Sequence, residues 1–445
     1  MVNIIIGIIS IIISSFVLLY NRKFFKSLSN NNLLKFIEFL IYYKVFFYLL
    51  VPSVLRIFSD FQYETELGIN PMELLIVYIF EVISYIIWIT IFYAIIYKYR
   101  NTTLNKNTTK KVEQIYVFIL ILFIYLTIIN TIKIFGLDLD FNNYFESIFY
   151  IIFPLVNTLG PVLAFFGIIY YKYDNPNNKL FLLSIFAVLF YFITVLISGV
   201  RGLIVHPLFF VIFLLHIYGK KRQIKLTFIL LFGFAIFQAT YMQIRHLDTD
   251  TKIEILAQGN LEKENKNIFD DIELRYGESS RMSVAFLRRG LDNNFAGLKP
   301  FLSSLYAPLP RTLFPKKPIP GSIGEDKYSM GGYLIMSDLR GQWWNMTEFL
   351  TSAHAYWEFG IIGLIIITII SVLYISLIVR FLLKIHVLGI PIILLFFKPW
   401  GYNEPKIWLY EIPLQIFQYI IPGLTIFFVL KLIYAFKKLI VKNLN

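Results

Sequence analysis

The chain has 445 residues, of which 58% are hydrophobic and 18% aromatic, with a mean hydropathy of +0.68; this excludes a water-soluble globular domain and points to an integral membrane protein. The net charge of +13 does not indicate a nucleic-acid partner: residues 245–348 hold 14 basic and 14 acidic side chains, so the excess, 27 against 14, lies in the rest of the chain, much of it in short connections between apolar runs. Cysteine is absent and the five histidines (His206, His216, His246, His354, His386) show no HxxxH or HExxH spacing, which excludes disulfides and cysteine nucleophiles and argues against a histidine-rich metal centre.

Apolar runs near 2–20, 33–57, 73–97, 115–136, 147–171, 179–198, 203–218, 224–243, 355–379, 385–397 and 411–433 predict an all-α, multi-pass protein of about 11 transmembrane helices. The tenth run is short enough to be re-entrant. No small-residue cleavage site follows the first, so it is expected to be a permanent helix and not a removed signal peptide. The basic connections "NRKFFK", "KYRNTTLNKNTTKK", "KYDNPNNK" and "YGKKRQIK" and the tail "AFKKLIVKN" fall on one side if the spans alternate, whereas "DFQYETE" and "DLDFNN" fall on the other. Retention of Lys and Arg on the cytoplasmic face then predicts an outer N-terminus and a cytoplasmic C-terminus.

The chain accordingly divides into helices 1–8 over residues 1–244, a large extracytoplasmic loop over 245–350, and helices 9–11 with a cytoplasmic tail over 351–445. A hydrophilic insertion of that length is the expected seat of function. Its first part is acidic and its second basic. "SSRMSVAFLRRG" predicts a short helix with Ser279 or Ser280 as N-cap and Gly290 as C-cap, and Arg281 and Arg288, seven apart, share a face. The following "LKPFLSSLYAPLPRTLFPKKPIPG" holds six of the 17 prolines and predicts a stiff, non-helical loop. Such a loop can hold Arg311, Lys316 and Lys317 against an anionic group, or can let them snorkel to lipid headgroups.

Two further stretches carry candidate chemistry. In "SGVRG", residues 198–202, Arg201 is flanked by glycines between two spans, which fits either close approach by an anionic ligand or a tight hairpin with a snorkelling arginine. In "TSAHAYWEFGIIGL", residues 351–364, His354 and Glu358 are four apart and face the same way on a helix. A neutral imidazole there can accept a proton from a sugar hydroxyl with Glu358 assisting, though the same pair also serves as an interfacial anchor. Lys44, Glu81 and Lys133 are the main charges inside predicted spans, and Trp343, Trp344, Trp357, Trp400 and Trp408 are assigned to the interfacial aromatic belt.

The layout, together with "SGVRG", "LPRTLFPKKP" and "AYWEFGIIGL", resembles the Wzy-type bacterial polysaccharide (O-antigen) repeat-unit polymerases and, more distantly, the O-antigen ligases. The resemblance implies a GT-C-like integral membrane glycosyltransferase of the cell envelope, in the bacterial cytoplasmic (inner) membrane. It would polymerise undecaprenyl-pyrophosphate-linked oligosaccharide repeat units on the outer face of that membrane, without metal or other cofactor. Arg201 and Arg311, with Lys316 or Lys317, and Arg281 and Arg288 of the preceding helix would hold the pyrophosphate; His354 and Glu358 would be catalytic. The implied partners are lipid-linked glycans, membrane lipids and a chain-length regulator, with no nucleic acid. The chain departs from the family pattern in that Gly321 follows Arg311 ten positions on, one short of the polymerase RX10G spacing. His354 also stands where polymerases often carry glutamate, which is more reminiscent of ligases. A ligase transferring finished glycan to lipid A core or protein, and a polysaccharide exporter or flippase, are the alternatives.

Overall fold

The computed structural model describes residues 2–26, 32–58, 68–101, 110–134, 159–173, 175–198, 268–306, 350–383, 411–421 and 423–424. The helices in chain order are α1 (Val2–Phe25), α2 (Asn32–Lys44), α3 (Val51–Phe58), α4 (Pro71–Ile96), α5 (Lys110–Ile134), α6 (Leu159–Tyr173), α7 (Asn178–Ser198), α8 (Ile268–Leu291), α9 (Lys299–Tyr306), α10 (Thr351–Leu382) and α11 (Glu411–Gln415). A π-helical segment, Val45–Leu50, joins α2 to α3, and another, Ile416–Ile420, follows α11. No strand occurs among the described residues. Among the described residues, three helical stretches, Ile4–Phe25, Pro71–Tyr99 and Thr351–Phe381, are long and apolar enough to cross a membrane. The predicted spans at 203–218, 224–243 and 385–397, residues 199–202 of "SGVRG" and the "LPRTLFPKKP" stretch lie outside the described residues.

The chain forms two units. The first comprises Met1–Asn105, Asn267–Ile385 and Phe396–Ile420, and α4 is its central helix, packed against α1, α8 and α10. The start of α4 is written in "NPMEL": the Asn70 side chain accepts from the Met72 amide at 2.9 Å, Glu73 reaches back to the Asn70 amide at 2.8 Å, and Pro71 occupies the first turn, where no backbone donor is needed. On α1 the exposed Ile5, Ile8, Ile12, Phe16 and Leu19 recur at helical spacing on one side. Gly7, Ser10, Ser14 and Val17 are on the other, and the last three are buried. Gly7 lies against Ile57 and the Ser53 carbonyl of α3, the close approach that small residues permit between apolar helices.

α4 and α10 run side by side. Thr368 donates to its own Leu364 carbonyl at 2.6 Å, so its 2.9 Å contact with Ser84 has Ser84 as donor. Further along, Arg380 Nε donates to Tyr99 Oη at 3.0 Å. Polar contacts at these two levels, the second just past the end of α4, thus tie the two helices together.

The second unit comprises Lys106–Lys266, His386–Leu395 and Ile421–Asn445. In it, the buried Tyr116 of α5 lies 2.6 Å from Ser184 Oγ of α7 and donates to the Leu163 carbonyl of α6 at 3.3 Å. Gly167 is required beside it, because any Cβ there would run into the Tyr116 hydroxyl. Asn177 caps α7 by accepting from the Leu180 amide at 3.3 Å.

Two features of the predicted loop differ from expectation. The "SSRMSVAFLRRG" helix begins at Ile268, not at Ser279 or Ser280, so those serines are interior. It ends after Gly290: Asn293 adopts the left-handed conformation (φ 56°) and the Asn293 and Asn294 amides return to the Gly290 and Arg289 carbonyls, as asparagine permits at a helix C-terminus. Gly290 serves packing instead, since a Cβ would collide with the Tyr356 ring. The first part of the proline-rich stretch is helical as α9, with Pro300 in its first turn where proline is tolerated.

Candidate functional site

α10 is two helices in one. Phe359 (φ −145°, ψ 24°) and Gly360 (φ 66°, ψ −153°) break it after its first two turns. The break leaves the Trp357 and Glu358 carbonyls without helical partners, and the segment after α8 supplies them: the Ala296 amide donates to Trp357 O at 3.1 Å and the Gly297 amide to Glu358 O at 3.0 Å. Straight α-helix would separate Ser352 from Thr368 by about 24 Å. Ser352 and Thr368 instead bond to Glu81 and Ser84, less than one turn apart on α4. The first two turns, Thr351–Glu358, are therefore folded toward α4 as a separate half-helix.

That half-helix carries the candidate pair. His354 Nδ1 lies 3.3 Å from Glu358 Oε1, and both side chains are 1% exposed. The contact is within ion-pair range but is not aligned as a hydrogen bond, and neither carboxylate oxygen of Glu358 has a hydrogen-bond partner. The imidazole is held edge-on by Phe286 of α8, centroids 5.0 Å apart, and by Trp357 at 5.4 Å. Trp357 is itself buried against Phe286, so it belongs to this packing and not to an interfacial belt. His354 and Glu358, which the sequence offers either as a catalytic pair or as an interfacial anchor, are both buried.

α4 and α8 close the other sides. Ser352 donates to Glu81 Oε2 through both its amide, at 3.3 Å, and its hydroxyl. Ser283 of α8 accepts from the Leu350 amide at 2.8 Å, and Tyr78 of α4 donates to Ser280 of α8 at 3.4 Å. Arg281, between those two serines, is fully buried. Glu81, Arg281, His354 and Glu358 are thus all buried where α4, α8 and the half-helix pack.

The two arginines assigned to one face of α8 have different surroundings. Arg288 is half-buried and forms a two-pronged pair with Glu73: Nε to Oε1 and Nη2 to Oε2, each 2.8 Å, with Nη2 also donating to the Gly68 carbonyl at 2.6 Å. The hydrogen bond to Glu73 pushes the Arg288 pKa up from its ordinary value, so it is permanently charged. Its fork is engaged at the start of α4, where it ties α8 to the Asn70 cap. Arg201, Arg311, Lys316 and Lys317 lie outside the described residues. Among the described residues no three His, Asp or Glu side chains converge as a metal site would require.

Glu81 is the site residue that the sequence presents only as a scattered intramembrane charge. The signal that could have found it is an acidic residue in the middle of the apolar run "ELLIVYIFEVISYIIW", since an unpaired charge at that depth is costly and implies a partner. No protein-family model matches the chain, and no curated protein or solved structure matches it.

Proposed function

We propose that this chain is an integral membrane glycosyltransferase that extends a lipid-linked glycan by transferring it from undecaprenyl pyrophosphate to a hydroxyl of another lipid-linked repeat unit. The observation that carries the reading is the buried His354–Glu358 pair on a half-helix, with Glu358 inside, and His354 immediately before, the "AYWEFGIIGL" stretch that resembles the polymerases. In the reaction, the acceptor oxygen bonds to the anomeric carbon of the donor's reducing-end sugar. The bond from that carbon to the pyrophosphate oxygen breaks, its electron pair leaving with undecaprenyl pyrophosphate. The acceptor's proton passes to His354 Nε2 while Glu358, facing Nδ1, stabilises the resulting imidazolium. Negative charge on the leaving pyrophosphate is met by Arg201, Arg311, Lys316 and Lys317, and guanidinium and ammonium groups perform that task without a divalent metal.

A second reading has its own support. A broken helix in a candidate membrane span, with Glu81, Arg281 and Glu358 buried beside it, is the kind of arrangement by which transporters bind their cargo. The exporter or flippase reading therefore stands beside the transferase one.

Purified protein reconstituted with chemically defined undecaprenyl-pyrophosphate repeat units separates them. The transferase reading expects a ladder of lengthened lipid-linked glycan that survives EDTA and is lost in Arg311→Ala. Movement of a labelled repeat unit across proteoliposomes with no chain growth would overturn it in favour of transport. Growth only on an added lipid A core or protein acceptor would make the chain a ligase.

A further inference from the structure

Glu81 has no part in the mechanism above, yet it is fully buried and its carboxylate takes two hydrogen bonds from Ser352. A buried carboxylate is costly unless it is matched by donors. The donors here belong to the start of α10, where Leu350, at the N-cap, offers no side-chain hydrogen bond of its own. The first amides of any helix need acceptors from outside, and a carboxylate is the favoured one because the helix dipole is positive at that end. Two turns are too few to hold a helix in place unaided. The half-helix Thr351–Glu358 is fixed at its C-terminal end by the Ala296 and Gly297 amides and at its N-terminal end by Ser283 and Glu81. His354 is two residues from the atoms Glu81 holds.

We propose that Glu81, reaching from α4 to cap the half-helix of α10, is the positioning residue that sets where His354 stands. Its catalytic consequence rests on the transferase reading; the capping itself does not.

The test uses full-length protein in lipid nanodiscs, with hydrogen exchange followed in peptides covering residues 350–358 and chain extension assayed on the same samples. In Glu81→Ala the Ser352 and Ala353 amides are expected to exchange about tenfold faster, the scale of a lost cap. Glu81→Gln, which keeps an acceptor oxygen, should lie between that variant and wild type. Under the transferase reading, kcat falls in the same order, Glu81→Ala below Glu81→Gln, with KM for the lipid-linked donor unchanged. Should Glu81→Ala not fold, Glu81→Gln and Ser352→Ala remove the charge and the hydroxyl separately and provide the same comparison. Unchanged exchange in folded variants overturns the proposal. Faster exchange with unchanged kcat overturns the link from Glu81 to His354. A wild type with no activity on any defined donor, combined with the exchange shift, overturns the transferase reading and upholds the cap.

Discussion

Glu358 places two carboxylate oxygens in a position that is 1% exposed, without a hydrogen bond to either and with the His354 ring in ion-pair range. Such a group lowers stability unless something else requires it. Glu358→Gln is therefore expected to raise the melting temperature of the detergent-solubilised protein by a few degrees, on the scale of about 1 kcal/mol, while abolishing chain extension. A loss of both stability and activity would instead make the carboxylate structural. The Arg288–Glu73 pair should behave in the opposite way. Both partners are only partly buried, so screening limits the loss in Arg288→Ala to about 1 kcal/mol. A double-mutant cycle with Glu73→Ala should show coupling of that sign, and donor binding should be unaffected. The i,i+4 spacing of His354 and Glu358 makes their adjacency legible in the sequence, because any helix brings them together. The Glu81 bond to Ser352 spans 271 positions, and no local pattern encodes it.

The break in α10 is the element that most affects the site. Gly360 holds φ 66° with the Phe295 ring 3.5 Å from where a Cβ would stand. Gly360→Ala should cost about 1–3 kcal/mol from the positive-φ, glycine-favouring backbone alone, read as a lower melting temperature. The loosened half-helix should also lower kcat more than the stability loss accounts for. Gly290→Ala tests the other contact: the new methyl meets the Tyr356 ring, an overpacking expected to cost about 1–3 kcal/mol. Partial recovery in Gly290→Ala/Tyr356→Leu would confirm that the ring is the cause. The sequence displays the glycine in "EFGIIG" but not its effect, since an isolated glycine in an apolar run is also tolerated in a continuous helix. What selects the break is tertiary: the Ala296 and Gly297 amides satisfy the freed carbonyls. For α8 the sequence emphasises the serines as a start signal, while packing of Met282, Val284, Ala285, Phe286 and Leu287 carries the helix through them. The capping box of α4 is fully encoded in "NPME", where residue types and spacing determine the outcome locally.

On the scale of the molecule, composition and run length identify a membrane protein, and among the described residues three helices meet the length and apolarity needed to cross a bilayer. The wider span count and the orientation rest on charge in the connections. They are testable because the chain has no native cysteine: single cysteines introduced at Lys106 and at Lys437 should resist a membrane-impermeant maleimide in intact cells and react after permeabilisation. The second unit holds its own buried network around Tyr116 and Ser184, so substitutions there should change stability before they change the His354 site. The most direct test of the proposed mechanism is the single-turnover rate of glycan transfer by reconstituted wild type and His354→Gln on a defined lipid-linked repeat unit, with matched melting temperatures. A fall in rate of about 10²-fold or more with donor binding intact is expected, as for removal of a general base. A folded His354→Gln protein that extends the glycan at the wild-type rate would contradict it.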